Sequence, residues 1–105
     1  MKIIYAALFA ACLCLSAATA PADDIESRGR TLLNGLGCKA CHSFEGQGGR
    51  IGPSLDTVGK RLAEDRIRRQ LLAPREINPE SSMPSYDHLE DWKIDTLVEF
   101  LGRQE

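Results

Sequence analysis

The segment GCKACHSFEG, residues 37–46, places two thiols and an imidazole within five positions of the chain. Cys38 and Cys41 are separated by two residues, and His42 follows the second cysteine directly. A Cys-x-x-Cys-His pattern serves three chemistries: a dithiol redox site, a zinc site and the covalent attachment of haem. The compartment helps to decide among them, because an oxidising compartment converts free neighbouring thiols into disulfides.

The first twenty residues have the layout of a secretory signal peptide. Lys2 supplies a positive start, residues 3–15 form an apolar run, and Ala18-Thr19-Ala20 is a small-x-small cleavage site. The apolar run is too short for a membrane-spanning helix, which needs roughly 20 residues. We predict a signal peptide at 1–20, cleaved after Ala20, and one exported domain at 21–105 without a membrane span.

A lipoprotein signal is the less favoured reading of the same segment. Phe9-Ala10-Ala11-Cys12 loosely resembles a bacterial lipoprotein cleavage site, and cleavage before Cys12 would allow a lipid tether there. Phe is unusual in such a site, and apolar residues follow the cysteine. Cleavage after Ala20 instead removes Cys12 and Cys14, which leaves the two cysteines of the quoted motif as the only ones in the mature chain.

The mature chain is a single small domain of 85 residues with a net charge of −3. A core of this size is marginal on its own and usually needs a disulfide, a metal or a cofactor. Basic side chains outnumber acidic ones in residues 60–75, whereas acidic ones dominate residues 76–105. This asymmetry is usually a solvated surface, and it can also steer charged partners. An acidic, exported chain with one short basic run is not expected to bind nucleic acid.

Hydrophobic periodicity predicts an all-α fold of three to four helices, because the mature chain contains few strand signals. The predicted helices cover residues 24–36, 56–62, 64–73 and 90–102. Residues 44–55 are predicted to be loop. Pro74 is expected to end the third helix, and residues 75–89, called the strap below, are predicted to be extended.

Covalent haem is the favoured use of the motif. A dithiol site of the thioredoxin kind needs a βαβ context, which the chain lacks. A zinc site would need His88 as fourth ligand, and the adjacent Cys41 and His42 fit a tetrahedron poorly. In c-type haem attachment, the two thiols form thioethers with the haem vinyl groups and the histidine binds the iron. We therefore predict one haem c, joined to Cys38 and Cys41, with His42 as an iron ligand.

Met83 is the predicted ligand on the other face of the iron. It is the single methionine of the mature chain, and a neutral thioether suits an electron carrier. A methionine can also be an apolar gap filler, but one between Ser82 and Pro84 in an extended segment is a poor core residue. His88, which lies among acidic residues, is the alternative sixth ligand.

With this motif and Met83, the chain resembles the class I c-type cytochromes of bacterial periplasms over nearly all of residues 24–102. Ile51-Gly-Pro-Ser-Leu55 is similar to the family's Gly-Pro-x-Leu stretch, and Asn78–Tyr86 is similar to the segment that carries the distal methionine. The resemblance implies a small cytochrome c fold with helices wrapped around one haem. It also implies that the Pro53 carbonyl accepts a hydrogen bond from His42 Nδ1 and orients the ring.

The same resemblance implies a contact between two helices and an apolar surface near the haem. Phe100 of the last helix is expected to pack against Gly29 of the first. An apolar docking patch at the thioether edge is expected from four residues: Ala40, Phe44, Ile51 and Pro84. Three side chains are candidates for hydrogen bonds to the haem propionates: Arg61, Tyr86 and Trp92.

An iron with both axial positions taken has no place for substrate, so an electron-transfer protein is expected rather than an enzyme. The resemblance implies a periplasmic carrier that exchanges single electrons with reductase and oxidase complexes or other cytochromes. A small haem subunit of a larger oxidoreductase complex is the alternative. A haem enzyme or gas sensor with an open sixth position is a further, less favoured one.

Overall fold

The computed structural model describes residues 21–105, so the predicted signal peptide, with Cys12 and the lipid alternative, lies outside the described residues. The described chain forms five α-helices: α1 Pro21–Gly35, α2 Val58–Arg61, α3 Glu64–Leu72, α4 Pro74–Ile77 and α5 Asp91–Gly102. Because α2 and α4 are single turns, three longer helices make the frame. In this part of the chain, no helix has the length and apolar character needed to cross a membrane.

The crossing of α1 and α5 is the centre of the polypeptide core. Leu33 of α1 and Leu97 of α5 are buried there, and Phe100 is completely buried. A Cβ atom at Gly29 would overlap the Phe100 ring, so the glycine allows the two helices to approach closely. The expected contact between Gly29 and Phe100 is therefore confirmed.

A small antiparallel hairpin stands where the sequence predicted only loop. Its strands are β1 Ser43–Phe44 and β2 Gln47–Gly48. Both turn residues have positive φ, 50° at Glu45 and 78° at Gly46, as a type I′ hairpin turn requires. Strands of two residues are too short to show an alternating pattern in the sequence.

The hairpin corrects the prediction for Phe44. This side chain is 2% exposed and meets the Phe100 ring edge-on, with the ring centroids 5.9 Å apart. Phe44 therefore belongs to the core beside the helix crossing and not to a surface docking patch. Arg30 of α1 covers it from outside, since its guanidinium lies 5.4 Å from the ring centroid and pairs with Glu45.

The third helix ends before Pro74 as predicted, but the start of the strap differs from the prediction. The third helix ends at Leu72, but Pro74 then begins α4, where a missing backbone N–H costs nothing because first-turn amides lack partners in any helix. The strap is consequently helical as far as Ile77. Beyond Asn78 it contains turns without helix or strand until α5 begins.

The strap is fastened to the last turn of α3. The backbone amide of Tyr86 donates to the Leu71 carbonyl at 2.9 Å. The Ser85 hydroxyl donates to the Leu72 carbonyl at 2.6 Å. These two bonds use carbonyl groups at the C-terminal end of a helix, which have no partner within the helix itself, and they hold the segment around Met83 in place.

Candidate haem site

A cavity of about 600 Å³ lies among the Cys-x-x-Cys-His segment, α3 and the strap. Cys38, Cys41 and His42 line it from one segment, and Met83 lines it from the strap. Much of the remaining wall is apolar and includes Leu36, Leu55, Val58, Ile67, Leu71 and Leu101. The structure thus brings the four predicted haem-binding side chains to a single, mostly apolar cavity.

A hydrogen bond selects one tautomer of the neutral His42 ring. Its Nδ1 lies 2.7 Å from the Pro53 carbonyl oxygen. Because a carbonyl oxygen can only accept, Nδ1 carries the hydrogen and the lone pair of Nε2 is left available. This is the hydrogen bond that the family resemblance implied, and it is the arrangement that metal-binding histidines usually show.

Gly52 is a further contributor that the sequence reasoning missed. A Cβ atom at this position would overlap the His42 ring, and the Gly52 amide donates to the Cys41 carbonyl at 2.7 Å. The glycine therefore lets the backbone pass directly against the imidazole. Its place immediately before Pro53 was the available signal, but a Gly-Pro pair alone reads as an ordinary turn.

The backbone of the motif is a single tight turn. Cys38–Ala40 form a 3₁₀ helix after Gly37, which has φ of 77°. The amide of His42 donates to the Cys38 carbonyl at 3.0 Å, so the turn continues through the motif. This winding places both thiols and the imidazole along one short stretch of the cavity wall.

The hairpin supports this turn from outside. The amide of Gly49 donates to the Lys39 carbonyl at 2.8 Å. Cβ atoms at Gly48 and Gly49 would overlap the carbonyl oxygens of His42 and Ala40, respectively. These two glycines therefore allow a close approach of two backbone segments.

Cys38 and Cys41 are half-buried at the cavity and are not joined by a disulfide. Burial raises the pKa of the Cys38 thiol, and a hydrogen bond with Tyr86 opposes this effect. The Tyr86 hydroxyl donates to the Leu36 carbonyl at 3.4 Å, which ties the strap to the end of α1. Burial also raises the pKa of Tyr86, so its hydroxyl keeps its proton at neutral pH.

Met83 and Gln70 form a contact that the sequence did not predict. Met83 is half-buried, and its sulfur accepts a hydrogen bond from Gln70 Nε2 at 3.5 Å. The Met83 amide donates to the Ser81 hydroxyl at 3.2 Å, which shapes the local turn. Helical periodicity predicts the helix that carries Gln70, but it identifies no partner for this side-chain amide.

The alternative ligand and the propionate candidates lie in different places. His88 does not line the cavity, and 69% of its side chain is exposed beside Asp87. Trp92 is also outside: it lines a separate groove with α1 residues, and its indole N–H donates to Glu90 at 2.6 Å. Arg61 and Tyr86 do line the cavity. Contact of any of these three side chains with the propionates stays a prediction.

The residues present fit a covalent haem better than a zinc ion. The cavity offers two thiols, an imidazole with Nε2 available and a thioether, all against apolar walls. Between residues 21 and 105, no three His, Cys, Asp or Glu side chains form a group that could hold a metal ion. The zinc reading would also need His88, which lies away from the motif cysteines' cavity.

Comparison with known proteins also supports a covalent haem. Residues 26–104 match the family model described as cytochrome c, and comparison with the curated proteins gave no match. Among solved structures, the chain is similar to a chain in the crystal structure of SoxXA from P. pantotrophus. The TM-score is 0.68 at 20% identity, and the alignment covers 76% of this chain and 82% of that chain.

At that identity the solved structure shows the fold alone, and it confirms the predicted small, mostly helical architecture. The family match extends from α1 to the end of α5 and includes the whole Cys-x-x-Cys-His segment. This chain therefore belongs to the cytochrome c family, in which covalently bound haem carries electrons.

Proposed function

We propose that this protein is a monohaem c-type cytochrome that carries single electrons between redox proteins in the periplasm. One haem c is attached through Cys38 and Cys41, and His42 and Met83 are the axial ligands of its iron. One observation carries the proposal: the cavity that these four side chains line also holds the His42 Nδ1 to Pro53 hydrogen bond, which leaves Nε2 available.

The bound haem supplies an Fe(III)/Fe(II) couple, and the chain's own residues decide how it is used. His42 and Met83 would both bind the iron, which would leave no position for a substrate and would favour outer-sphere electron transfer. Pro53 fixes the ring orientation of His42 and strengthens it as a donor. The apolar walls and the neutral methionine favour Fe(II), so a positive reduction potential is expected.

Exchange of electrons needs a site where partners can approach the haem. Ala40, Ile51 and Pro84 line the cavity and are exposed, and Ile51 is 78% exposed. These three residues form the apolar rim that remains once Phe44 is assigned to the core. A small apolar rim suits brief contacts with other redox proteins, such as reductase and oxidase complexes or other cytochromes.

A haem subunit of a larger oxidoreductase complex is the second candidate. The fold likeness to a chain of SoxXA favours it. The mass of the protein in a native extract separates the two candidates: a free carrier elutes as a single small chain, whereas a subunit elutes with its partners.

The decisive experiment is an optical spectrum of the full chain, produced in a bacterial host that attaches haem c. We expect a red protein whose colour stays with the polypeptide in acid acetone. The ferric form should show the weak near-infrared band of sulfur-ligated iron, and the reduced form should not bind carbon monoxide at neutral pH. A colourless protein with titratable thiols would overturn the proposal, and rapid carbon monoxide binding would favour an enzyme or gas sensor.

A further inference from the structure

Asp56 joins the hairpin turn to the loop that carries Pro53. One of its carboxylate oxygens accepts a hydrogen bond from the Glu45 backbone amide at 2.7 Å. The other accepts a hydrogen bond from the Ser54 hydroxyl at 3.1 Å, and the Asp56 amide donates back to that hydroxyl oxygen at 3.3 Å. A single side chain therefore links the hairpin turn with the residue that follows Pro53.

Two backbone hydrogen bonds hold the same loop against the Cys-x-x-Cys-His segment and the first strand. The Gly52 amide donates to the Cys41 carbonyl at 2.7 Å. The Leu55 amide donates to the Ser43 carbonyl at 2.9 Å. The bond from the hairpin turn to Asp56 continues this series at its far end. Because a side chain forms this third bond, a substitution can remove it without changing the other two.

The Pro53 carbonyl, which accepts the hydrogen bond from His42 Nδ1, belongs to an exposed part of the loop. Both Pro53 and Ser54 are exposed, so packing alone does not fix them. Because the peptide unit is planar, the Pro53 carbonyl and the Ser54 amide turn together. Bonds to an ionised carboxylate are stronger than neutral ones. Restraint of Ser54 by Asp56 therefore restrains the carbonyl that orients His42.

We propose that Asp56 is a positioning residue for His42, acting through Ser54 and the Pro53 carbonyl, an inference that rests on the proposed bond between His42 and the haem iron. Asp56 keeps the Pro53 oxygen at hydrogen-bonding distance, 2.7 Å from Nδ1. A firm hydrogen bond at Nδ1 makes Nε2 a stronger donor. Stronger donation stabilises Fe(III), so Asp56 lowers the reduction potential.

Asp56→Ala removes both carboxylate bonds. The His42 Nδ1–H should then exchange with solvent several-fold faster, because its bond to Pro53 opens more often. The reduction potential should rise, since Nε2 donates less strongly to Fe(III). A role confined to overall stability predicts a different pattern: equal acceleration at Nδ1–H and at the backbone amide of Leu97, which is buried in α5, and no change in potential.

Asp56→Asn separates the hydrogen bonds from the charge. Its side-chain oxygen can accept from the Glu45 amide, and its NH₂ group can donate to the Ser54 hydroxyl oxygen. The exchange of Nδ1–H should therefore stay at the wild-type rate.

Glu45→Gln is the matched charge control in the same turn. It removes the ion pair with Arg30 but keeps the backbone amide that bonds to Asp56. Glu45→Gln and Asp56→Asn each lose one negative charge, so any rise in their potential is electrostatic and is screened by salt. The further rise in Asp56→Ala should persist at high salt.

The experiment compares the ¹⁵N-labelled holoproteins by potentiometric titration and by NMR hydrogen exchange in the reduced state. If the wild type holds no covalently attached haem, or His42→Ala keeps a normal haem content, the proposed site fails and the inference fails with it. If both behave as expected, the Asp56 variants bear on the inference alone.

Three results would overturn the inference: unchanged Nδ1–H exchange in Asp56→Ala, exchange in Asp56→Asn as fast as in Asp56→Ala, or equal potentials of these two variants at high salt. If Asp56→Ala does not accumulate as holoprotein, Ser54→Ala decides, because it removes only the hydroxyl link. It should accelerate the exchange by a smaller factor, and a wild-type rate in this variant would refute the proposed role.

Discussion

The crossing of α1 and α5 and the cavity beside it are held together by different means. At the crossing, Gly29 and Phe44 both pack against Phe100, which is completely buried. On the other side, the Cys-x-x-Cys-His segment and the strap face a cavity of about 600 Å³. The polypeptide completes its own core at the crossing, whereas the cavity side is shaped to pack against a large prosthetic group.

The largest expected effect comes from His42→Ala, which attacks the cavity side. The substitution removes the proposed iron bond and a part of the attachment motif. We expect no accumulation of haem-containing protein, measured by haem staining of the periplasmic fraction. His88→Ala is the matched control, because this exposed histidine lies outside the cavity. Normal haem content in His42→Ala would contradict the proposed site.

Met83→Ala should have the next largest effect, because it removes one proposed ligand without touching the thiols. The haem should stay attached, the near-infrared band should disappear, and carbon monoxide should bind to the reduced protein. The reduction potential should fall on the order of a few hundred millivolts, since axial ligands set haem potentials over about 0.8 V. A spectrum and potential equal to those of the wild type would exclude Met83 as the ligand.

Much of the structure of the two regions was predictable from the sequence. Apolar residues at helical spacing predicted the ends of α3 and α5 to within one or two residues. The motif resemblance led to the hydrogen bond between His42 and Pro53 and to the packing of Phe100 on Gly29. These features depend on local patterns or on residue types with few alternatives, such as a glycine required by a close helix crossing.

Two of the features that were missed depend on tertiary contacts. Phe44 reads as a surface aromatic in a glycine-rich loop, and only the hairpin turn brings it to Phe100. Residues 75–77 were expected to be extended, but Pro74 starts a further turn of helix, which is a local preference of proline. The partner of Gln70 lies thirteen residues away on the strap, and no helical periodicity encodes such a contact.

Gly29→Ala tests the helix crossing itself and should have a smaller effect on the protein than either cavity variant. Its new methyl group would overlap the Phe100 ring, and overpacking of a core costs about 1–3 kcal/mol. Gly35→Ala is the matched control on the same helix, because no other part of the chain comes within 4 Å of its added Cβ. That variant should be neutral or more stable by up to about 1 kcal/mol. Urea unfolding of the two ferric holoproteins measures the difference, and equal stabilities would refute the close-crossing argument.

Arg61→Gln should have the smallest effect, and it tests whether a charge at the cavity wall influences the reduction potential. Arg61 lines the cavity and donates to the Ser54 carbonyl at 2.8 Å, so its positive charge lies near the proposed haem. A nearby cation disfavours the more positive Fe(III), and its loss should lower the potential slightly. Because Arg61 is exposed, salt should reduce the shift. Trp92→Phe, in the separate groove, should leave the potential unchanged. Equal shifts in the two variants would mean that charge near the cavity does not set the potential.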